Sequence, residues 1–220
     1  MKLLIALHHR FDLWCDPPWF APRLAQEFPQ LTIARTPDYD HVATEIADAD
    51  IMLGWSLRPE QFRLAKKLRW IHSTAAAVHQ LMSPELIASD VMVTNARAVH
   101  GPVVAEHAIA LIFAMAKRLP AAAHYQAKKI WAQEQLWQER PAIREVAGSM
   151  LTLIGVGSIG REIIQCARPL GMRVLAVREH PERGAEGTDE VFGMDQLDGA
   201  LAQADFVVIA APLTPRTQGM

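Results

Sequence analysis

Hydrophobic residues in the first half of the chain fall into short runs, and the stretches between the runs have helical spacing. A short apolar run rich in β-branched residues predicts a buried strand, and apolar residues three and four positions apart predict a helix. The predicted strands are residues 2–8, 31–35, 50–55, 69–74 and 91–96. The predicted helices are residues 17–29, 39–49, 58–68 and 78–86. This alternation indicates βαβ units and a parallel sheet with helices on both faces.

The longest helical stretch comes next, at residues 102–118. Apolar residues occupy almost its whole circumference, which predicts a buried helix, between layers or between subunits. Residues 119–149 then set Tyr125, Trp131 and Trp137 on a polar background, which is typical of an arm over a surface. Two interpretations of the tryptophans stay open: they anchor a partner subunit, or they cover the core of their own domain.

A second series of alternating elements begins at Met150. Predicted strands at residues 150–157, 172–178 and 205–212 alternate with predicted helices at residues 158–171 and 194–204. This half also predicts a parallel sheet, so the fold class is α/β throughout. Three strands are predicted after Met150, whereas a complete doubly wound nucleotide-binding sheet has about six.

The first strand of this series runs into a loop with glycines in G-x-G-x-x-G spacing, at Gly155, Gly157 and Gly160. The motif follows a predicted strand and opens a predicted helix, which is the context that indicates a dinucleotide site. The first glycine permits the tight turn, the second lets backbone approach the pyrophosphate, and the third lets helix and strand pack closely. The helix start, with Ser158 and Ile159, presents free N–H groups to the phosphates.

The end of the next predicted strand bears on which dinucleotide binds. An acid at this position would hydrogen-bond the ribose 2′-OH, whereas the chain has Arg178, whose guanidinium suits a 2′-phosphate. Arg183 adds a second positive charge nearby. The sequence therefore predicts a preference for NADP(H). The adjacent Glu179 leaves NAD(H) as the alternative, since its carboxylate can hold a ribose.

Composition excludes several other functions. The chain has 220 residues, half of them hydrophobic, and a formal net charge of −2, with no cluster of basic residues of the kind that binds nucleic acid. It has no apolar run long enough to span a membrane, and its start predicts a buried strand rather than a signal peptide. Cys15 and Cys166 lack metal-ligand spacing, so we expect no metal site and two free thiols in a reducing cytoplasm.

Several stretches together resemble the D-2-hydroxyacid dehydrogenase family. Residues 69–81 look like the family's substrate loop, and residues 93–120, with "VAEHA" at 104–108, look like its crossover into the nucleotide domain. Residues 155–177 resemble its dinucleotide fingerprint, and residues 204–220 resemble the strand and loop over the cofactor. The resemblance implies two doubly wound parallel-sheet domains. These are a flavodoxin-like substrate domain at residues 1–99 and a Rossmann domain at residues 100–220, incomplete at its end.

The resemblance also implies an activity and a site. The family transfers a hydride reversibly between a nicotinamide and a small 2-keto or 2-hydroxy acid, with D stereospecificity, in a cleft between the domains. The implied substrate-carboxylate ligands are backbone N–H groups around Ala75, Ala76, Ala77 and Val78. The residues implied to lie along the cofactor are Val103, Val104, Ala210, Ala211, Pro212, Leu213 and Thr217. Homodimers joined through the nucleotide domain are usual in the family.

Two departures from the family pattern concern the substrate loop. Ala77 stands where the family usually has glycine, and His79 stands where it usually has aspartate. Alanine narrows the backbone options, so the carboxylate pocket is expected to differ in shape. His79 is either a surface residue or a pocket residue that favours an acidic substrate. His8, His9 and Arg10 end the first strand and face the crevice, where contact with substrate is one interpretation and a structural role is the other.

A third departure concerns catalysis. The family's catalytic arginine, acid and histidine all lie downstream of the stretch that resembles residues 204–220, so we expect no catalytic residue within this chain and no activity from the chain alone. Two hypotheses follow. The chain belongs to an NADP-dependent 2-hydroxyacid dehydrogenase or 2-ketoacid reductase of which it is a truncated part, or it is a non-catalytic dinucleotide-binding dimer that senses redox state or acts as a scaffold.

Overall fold

The computed structural model describes the whole chain, Met1–Met220. The chain consists of two compact units, Met1–Arg97 and Ala98–Met220. Each unit has its own parallel sheet, with five strands in the first unit and four in the second. The predicted α/β class with two parallel sheets is confirmed.

The first unit contains five short parallel strands in the order β2-β1-β3-β4-β5. The strands are β1 (Lys2–Ile5), β2 (Thr32–Arg35), β3 (Ile51–Leu53), β4 (Trp70–Ser73) and β5 (Met92–Asn95). The helices are α1 (Phe20–Glu27), α2 (Val42–Glu45), α3 (Pro59–Phe62) and α4 (Pro84–Ile87). The order 2-1-3-4-5 is that of flavodoxin-like sheets, in which ligands bind beyond the carboxyl ends of the strands.

Alternate residues of the strands supply the two layers of core in this unit. Leu4, Met52 and Ile71 are fully buried on one face, where they pack with α2 and the chain around α4. Leu3 and Ile5 face the other way and pack against α1. Each such side chain contributes about 1.5–3 kcal/mol by leaving water. The central strands β1, β3 and β4 therefore carry the core of the unit, and their carboxyl ends are held in fixed positions.

The helices of the first unit are shorter than the sequence predicts. Helix α4 shows the reason, since it starts at Pro84, whereas the predicted helix begins at residue 78. The Ser83 hydroxyl accepts a hydrogen bond from the Leu86 N–H at 3.2 Å, and Pro84 occupies the first turn. A serine cap followed by proline is a strong start signal. This local signal outweighs the apolar spacing of the residues before it.

The second unit contains four parallel strands in the order β8-β7-β6-β9. The strands are β6 (Met150–Ile154), β7 (Arg173–Val177), β8 (Glu190–Phe192) and β9 (Phe206–Ile209). The helices are α5 (Gly101–Ala116), α6 (Leu119–Ala127), α7 (Gln133–Gln138), α8 (Ser158–Ala167) and α9 (Leu197–Leu201). The prediction of three strands after Met150 is wrong, because β8 has three residues and begins with a glutamate. Such a strand is too short for an apolar pattern to reveal it.

Helix α5 packs against α8 through one face only. Ala105, Ile112 and Ala116 are buried in the core of the second unit. On the face beside this buried one, Leu111 and Met115 are 50% and 57% exposed. The expectation of a fully buried helix is therefore wrong for the single chain, because the apolar circumference exceeds what one neighbouring helix covers. The remaining face is an apolar surface, a type of surface that usually marks an interaction site.

The segment after α5 forms two helices, α6 and α7, whose ends are tied together. The Tyr125 hydroxyl donates to Glu139 at 2.6 Å, and Arg118 pairs with the same carboxylate at 2.5 Å. Trp131 and Trp137 are 88% and 75% exposed, so they do not cover the core of their own unit. Of the two sequence interpretations, the one in which they shield that core is wrong. No helix in either unit is long and apolar enough to cross a membrane.

Candidate functional site

The three glycines of the fingerprint meet three different spatial constraints. Gly155 follows β6 with φ +97°, and a Cβ there would lie 2.6 Å from the Ala211 backbone nitrogen. Gly160 lies in the first turn of α8, where a Cβ would collide with the Gly155 carbonyl oxygen. A Cβ at Gly157 would meet no atom within 4 Å. Gly155 and Gly160 are therefore required by packing, whereas Gly157 faces open space in front of the helix.

The start of α8 presents backbone donors toward that space. Gly157 is the N-cap residue and offers no side chain to the helix end, and Ser158 and Ile159 begin the first turn. The first N–H groups of a helix have no partner within the helix, and they carry its partial positive charge. A loop without side-chain atoms before such a helix end is a good anion site. The residues present thus fit the pyrophosphate of a dinucleotide.

The loop after β9 lies against the glycine loop. The Ala210 N–H donates to the Ile154 carbonyl at 2.8 Å, and Ala211 makes the close approach to Gly155. The Thr217 hydroxyl donates to the Pro212 carbonyl at 2.6 Å and accepts from the Thr214 N–H at 2.8 Å. The loop is therefore folded on itself, with its first residues beside the glycine turn.

Arg178 follows β7 and continues the sheet through its backbone, since its N–H donates to the Phe192 carbonyl at 3.0 Å. Its half-buried guanidinium donates to the Gly184 carbonyl at 2.5 Å and has no acidic partner. Arg183 is exposed and also has no acidic partner. Two uncompensated guanidinium groups thus lie in the segment that follows β7.

Glu179, next to Arg178, has its carboxylate engaged. It forms an ion pair with Arg216 from the loop after β9. Strands β7 and β9 lie on either side of β6, whose end carries the glycine loop. The pair therefore joins the loops on both sides of the dinucleotide turn. Arg216 was missed by sequence reasoning, because it lies 37 residues from Glu179 along the chain.

Val103 lies in the first turn of α5 and is 67% exposed, and its neighbour Val104 is 40% exposed. Both valines are exposed apolar side chains in the second unit. Their nearness to a nicotinamide stays a prediction.

The segment after β4 offers backbone donors in the first unit. The Ala75 N–H donates to the buried Ser73 hydroxyl at 3.2 Å, and the Asn95 side chain donates to the Ala76 carbonyl at 2.5 Å. The N–H groups of Ala76, Ala77 and Val78 form no hydrogen bond within the chain. These three donors, and not that of Ala75, are free to bind a carboxylate.

The histidines near the carboxyl edge of this sheet have separate environments. His79 is exposed and has no partner. The His8 ring contacts the Thr36 hydroxyl, with Nε2 and Oγ1 2.5 Å apart, and burial lowers the pKa of His8. The His9 and Trp14 ring centroids are 4.3 Å apart with their planes tilted by 45°, and the Arg10 guanidinium lies 4.9 Å from the centroid of the Phe11 ring. His8 is thus half-buried against Thr36, and His9 belongs to an aromatic group that the sequence pattern did not predict.

Comparison with known proteins decides the family. The family model described as "D-isomer specific 2-hydroxyacid dehydrogenase, NAD binding domain" matches residues 109–220. This chain belongs to the D-2-hydroxyacid dehydrogenase family. The match includes the glycine loop, α8 and all four strands of the second unit.

Relatives with described functions lie within the same family. A D-3-phosphoglycerate dehydrogenase of Mycobacterium tuberculosis is 28% identical over 189 residues, which are 84% of this chain and 34% of the relative. A glyoxylate reductase of Thermococcus kodakarensis is 31% identical over 173 residues, which are 77% of this chain and 51% of the relative. The chain thus spans between about a third and about half of the length of these relatives.

Solved structures of the family share the fold. A D-isomer specific 2-hydroxyacid dehydrogenase family protein from Aeromonas salmonicida superposes with a TM-score of 0.78 and 28% identity, covering 98% of this chain and 65% of that chain. A glyoxylate/hydroxypyruvate reductase from Sinorhizobium meliloti, solved with NADP, has a TM-score of 0.76 and 22% identity, covering 99% and 64%. At that lower identity, the likeness is one of fold.

Proposed function

We propose that this protein transfers a hydride between NADP(H) and a small 2-keto or 2-hydroxy acid, with D stereospecificity. The observation that carries the proposal is the glycine loop at the end of β6, followed after β7 by two arginines without acidic partners. The nicotinamide dinucleotide supplies or accepts the hydride when it is bound. The residues of this chain hold it and hold the substrate, and we assign none of them as the general acid.

The dinucleotide is held, in this proposal, along the carboxyl edge of the second sheet. The N–H groups of Ser158, Ile159 and Gly160 bind the pyrophosphate, because the open space in front of Gly157 admits it. The residues that line its path are Val103, Ala210, Ala211, Pro212 and Thr217. None of these residues has a thiol, imidazole or carboxylate group, so in this proposal they bind and orient the dinucleotide.

The preference for NADP(H) rests on charge. A 2′-phosphate beside Arg178 and Arg183 gains charge-assisted hydrogen bonds, which the 2′-OH of NAD(H) makes only weakly. The competing residue is Glu179, whose carboxylate would repel a phosphate. Its ion pair with Arg216 offsets that charge and withholds the carboxylate from a ribose. This arrangement favours the phosphorylated dinucleotide.

The substrate carboxylate is assigned to the free N–H groups of Ala76, Ala77 and Val78. Three backbone donors without partners in one short segment can bind an anion, as consecutive N–H groups do in other anion sites. Ser73 and Asn95 fix the segment through the hydrogen bonds to its first residues. We assign residues 1–99 as the substrate domain and residues 100–220 as the nucleotide domain on the same grounds.

We further propose a homodimer joined through the nucleotide domain, in the cytoplasm. The exposed apolar face of α5 and the exposed Trp131 and Trp137 support the dimer, because aromatic anchors are typical of such interfaces. The two free thiols, Cys15 and Cys166, support a reducing compartment.

Two measurements test the proposed function. Titration of the 220-residue chain with NADPH and with NADH is expected to give a dissociation constant for NADPH about tenfold or more below that for NADH. The polypeptide expressed from its native gene is expected to oxidise NADPH when a 2-ketoacid is added. Binding of NADPH without turnover of any 2-ketoacid would instead favour the non-catalytic dimer, and tighter binding of NADH would refute the role of Arg178.

A further inference from the structure

A group of aromatic rings lies beyond the first sheet, on the chain that follows β1 and β3. His9, Phe11 and Trp14 come after β1, and Trp55 comes after β3. The Trp14 ring centroid lies 4.3 Å from His9 and 6.0 Å from Trp55. We propose that this aromatic group binds the side chain of the substrate, and that the substrate is a 2-keto acid with an aromatic or large apolar side chain.

Local hydrogen bonds hold the rings in place. The Cys15 thiol donates to the His9 carbonyl at 3.3 Å, and the Phe11 N–H donates to His9 Nδ1 at 3.1 Å. The segment after β1 is therefore closed on itself. Trp55 is fixed from the other side, because its indole N–H donates to the Tyr39 hydroxyl. A surface whose rings are already positioned loses little conformational freedom when a ligand binds.

The aromatic group lies near the carboxylate donors of the same unit. Strand β3 pairs with β1 on one side and with β4 on the other, and the donor segment Ala76–Val78 follows β4. Neighbouring strands are about 4.8 Å apart, so the ends of β1 and β4 are separated by about 10 Å. A substrate whose carboxylate binds after β4 can extend its side chain toward Trp55 and Trp14. An arylmethyl side chain fills that span, whereas the side chain of pyruvate leaves most of it empty.

The chemistry of the rings suits an apolar side chain. Trp55 packs against the core beside α1, whereas Phe11 and Trp14 are 53% and 52% exposed and leave much aromatic surface open. His9 already uses Nδ1 as an acceptor, and the Trp55 indole N–H is bonded to the Tyr39 hydroxyl, so neither ring hydrogen-bonds to a carboxylate. Arg10 lies over the Phe11 ring, and Arg35, near Cys15, is paired with Asp16. Aromatic pairs gain about 0.5–1.5 kcal/mol beyond the burial of their area, so an aryl group benefits most.

This inference rests on the proposed function, and turnover tests both. The polypeptide expressed from its native gene is assayed with NADPH and phenylpyruvate, pyruvate, glyoxylate or oxaloacetate. We expect kcat/KM for phenylpyruvate to exceed that for pyruvate about tenfold or more, since burial of a phenyl group is worth that factor. Trp14→Ala is expected to remove most of this advantage and to change kcat/KM for pyruvate less than about twofold. Trp19→Ala removes an exposed tryptophan outside the group and should change neither value.

A binding measurement separates the two proposals. Saturation-transfer NMR on the 220-residue chain is expected to mark the ring protons of phenylpyruvate, and Trp14→Ala is expected to abolish the signal. Ring binding without turnover of any ketoacid supports the aromatic site and counts against the dehydrogenase activity. Turnover in which pyruvate, glyoxylate or oxaloacetate matches phenylpyruvate overturns the aromatic site and leaves the activity standing. An equal loss for all substrates in Trp14→Ala also overturns it.

Discussion

Three residues, Arg178, Glu179 and Arg216, determine the charge around the end of β7. Arg178 is fixed by its backbone bond to Phe192 and by the Gly184 carbonyl, so its guanidinium is not free to leave the segment. Glu179 points into an ion pair with Arg216. Since an exposed ion pair is worth at most about 1 kcal/mol, its effect on cofactor choice comes from charge balance and not from stability.

Arg178→Asp is expected to reverse the preference between the two dinucleotides. The substitution removes a charge-assisted hydrogen bond to the 2′-phosphate and adds a repulsive carboxylate, so the dissociation constant for NADPH should rise about tenfold to a hundredfold. The dissociation constant for NADH should fall or stay constant. Fluorescence titration of the 220-residue chain measures both constants. Arg63→Asp changes charge equally in the first unit and is expected to have no effect. Unchanged NADPH binding in Arg178→Asp would contradict the assignment.

Arg216→Gln is expected to weaken NADPH binding only while Glu179 is present. Loss of the arginine leaves the Glu179 carboxylate uncompensated beside the 2′-phosphate, so the constant for NADPH should rise about threefold to tenfold. In the double variant with Glu179→Gln, the constant should return toward that of the wild type. Isothermal titration of NADPH into the wild type, the two single variants and the double variant gives the coupling energy between Arg216 and Glu179. Additive effects would mean that Arg216 acts independently of Glu179.

At the scale of elements, the glycines between β6 and α8 have two different roles, since two are needed for packing and one is proposed to be needed for dinucleotide binding. Gly155 and Gly160 are packed against the Ala211 backbone and against each other, and Gly157 touches nothing. The same kind of substitution therefore has different consequences at neighbouring positions.

Gly157→Ala is expected to leave folding intact and to reduce dinucleotide binding. The new methyl group enters the space proposed for the pyrophosphate, so the dissociation constant for NADPH should rise about tenfold or more, with stability changed by less than about 0.5 kcal/mol. Gly155→Ala is the matched comparison, since φ +97° and the contact with Ala211 should cost about 1–3 kcal/mol. Urea unfolding and NADPH titration distinguish the two. A stable Gly157→Ala variant with normal NADPH affinity would refute the pyrophosphate site.

Asp205 joins the beginnings of β6 and β9. Its carboxylate accepts the Met150 N–H at 2.8 Å and pairs with Arg144. The Met150 N–H first, and Arg144 second, hold the pKa of Asp205 below its ordinary value. A lowered folded-state pKa adds stability above the unfolded pKa, about 3.9, and that stability is lost as pH falls through the folded value.

Asp205→Ala is expected to cost about 1 kcal/mol at pH 7, a figure that allows for the partial exposure of the carboxylate. The difference between wild type and variant should shrink as pH falls below about 4, because the unfolded chain takes up its proton near that pH and the folded carboxylate does so only at lower pH. Thermal unfolding of the chain at several pH values measures this. A difference that stays constant across that range would show that the charge of Asp205 contributes nothing.

At the scale of the whole molecule, the apolar surface of the second unit exceeds what the chain itself covers. The exposed face of α5, with Leu111 and Met115, and the exposed Trp131 and Trp137 all belong to this unit. Large exposed apolar surface is uncommon on monomers. In the proposed dimer, a second copy of the chain covers this apolar surface.

Leu111→Arg is expected to turn the dimer into a monomer. A buried charge without a partner at the centre of an apolar interface costs several kcal/mol, which corresponds to a loss of affinity of about a hundredfold or more. Light scattering after size exclusion reports the mass, with 24.4 kDa for one chain. Trp19→Ala, an exposed position in the first unit, should leave the dimer intact. A monomeric wild type would refute the proposed assembly.

Much of this protein follows from its sequence alone. The α/β class, the two parallel sheets and the glycine turn at residues 155–160 depend on local periodicity and on backbone sterics, which a short window of sequence contains. The family was identified through motifs that resemble those of known members. The failures also have local causes, since β8 is too short to show a period and α4 begins at a serine-proline cap.

Tertiary structure alone decided the features that join distant residues. The pairing of Glu179 with Arg216 and the contact of Trp14 with Trp55 depend on which strand ends lie side by side. The exposed face of α5 likewise depended on how much of the helix one neighbour could cover. Sequence periodicity records which residues avoid water, but strand order determines which side chains meet.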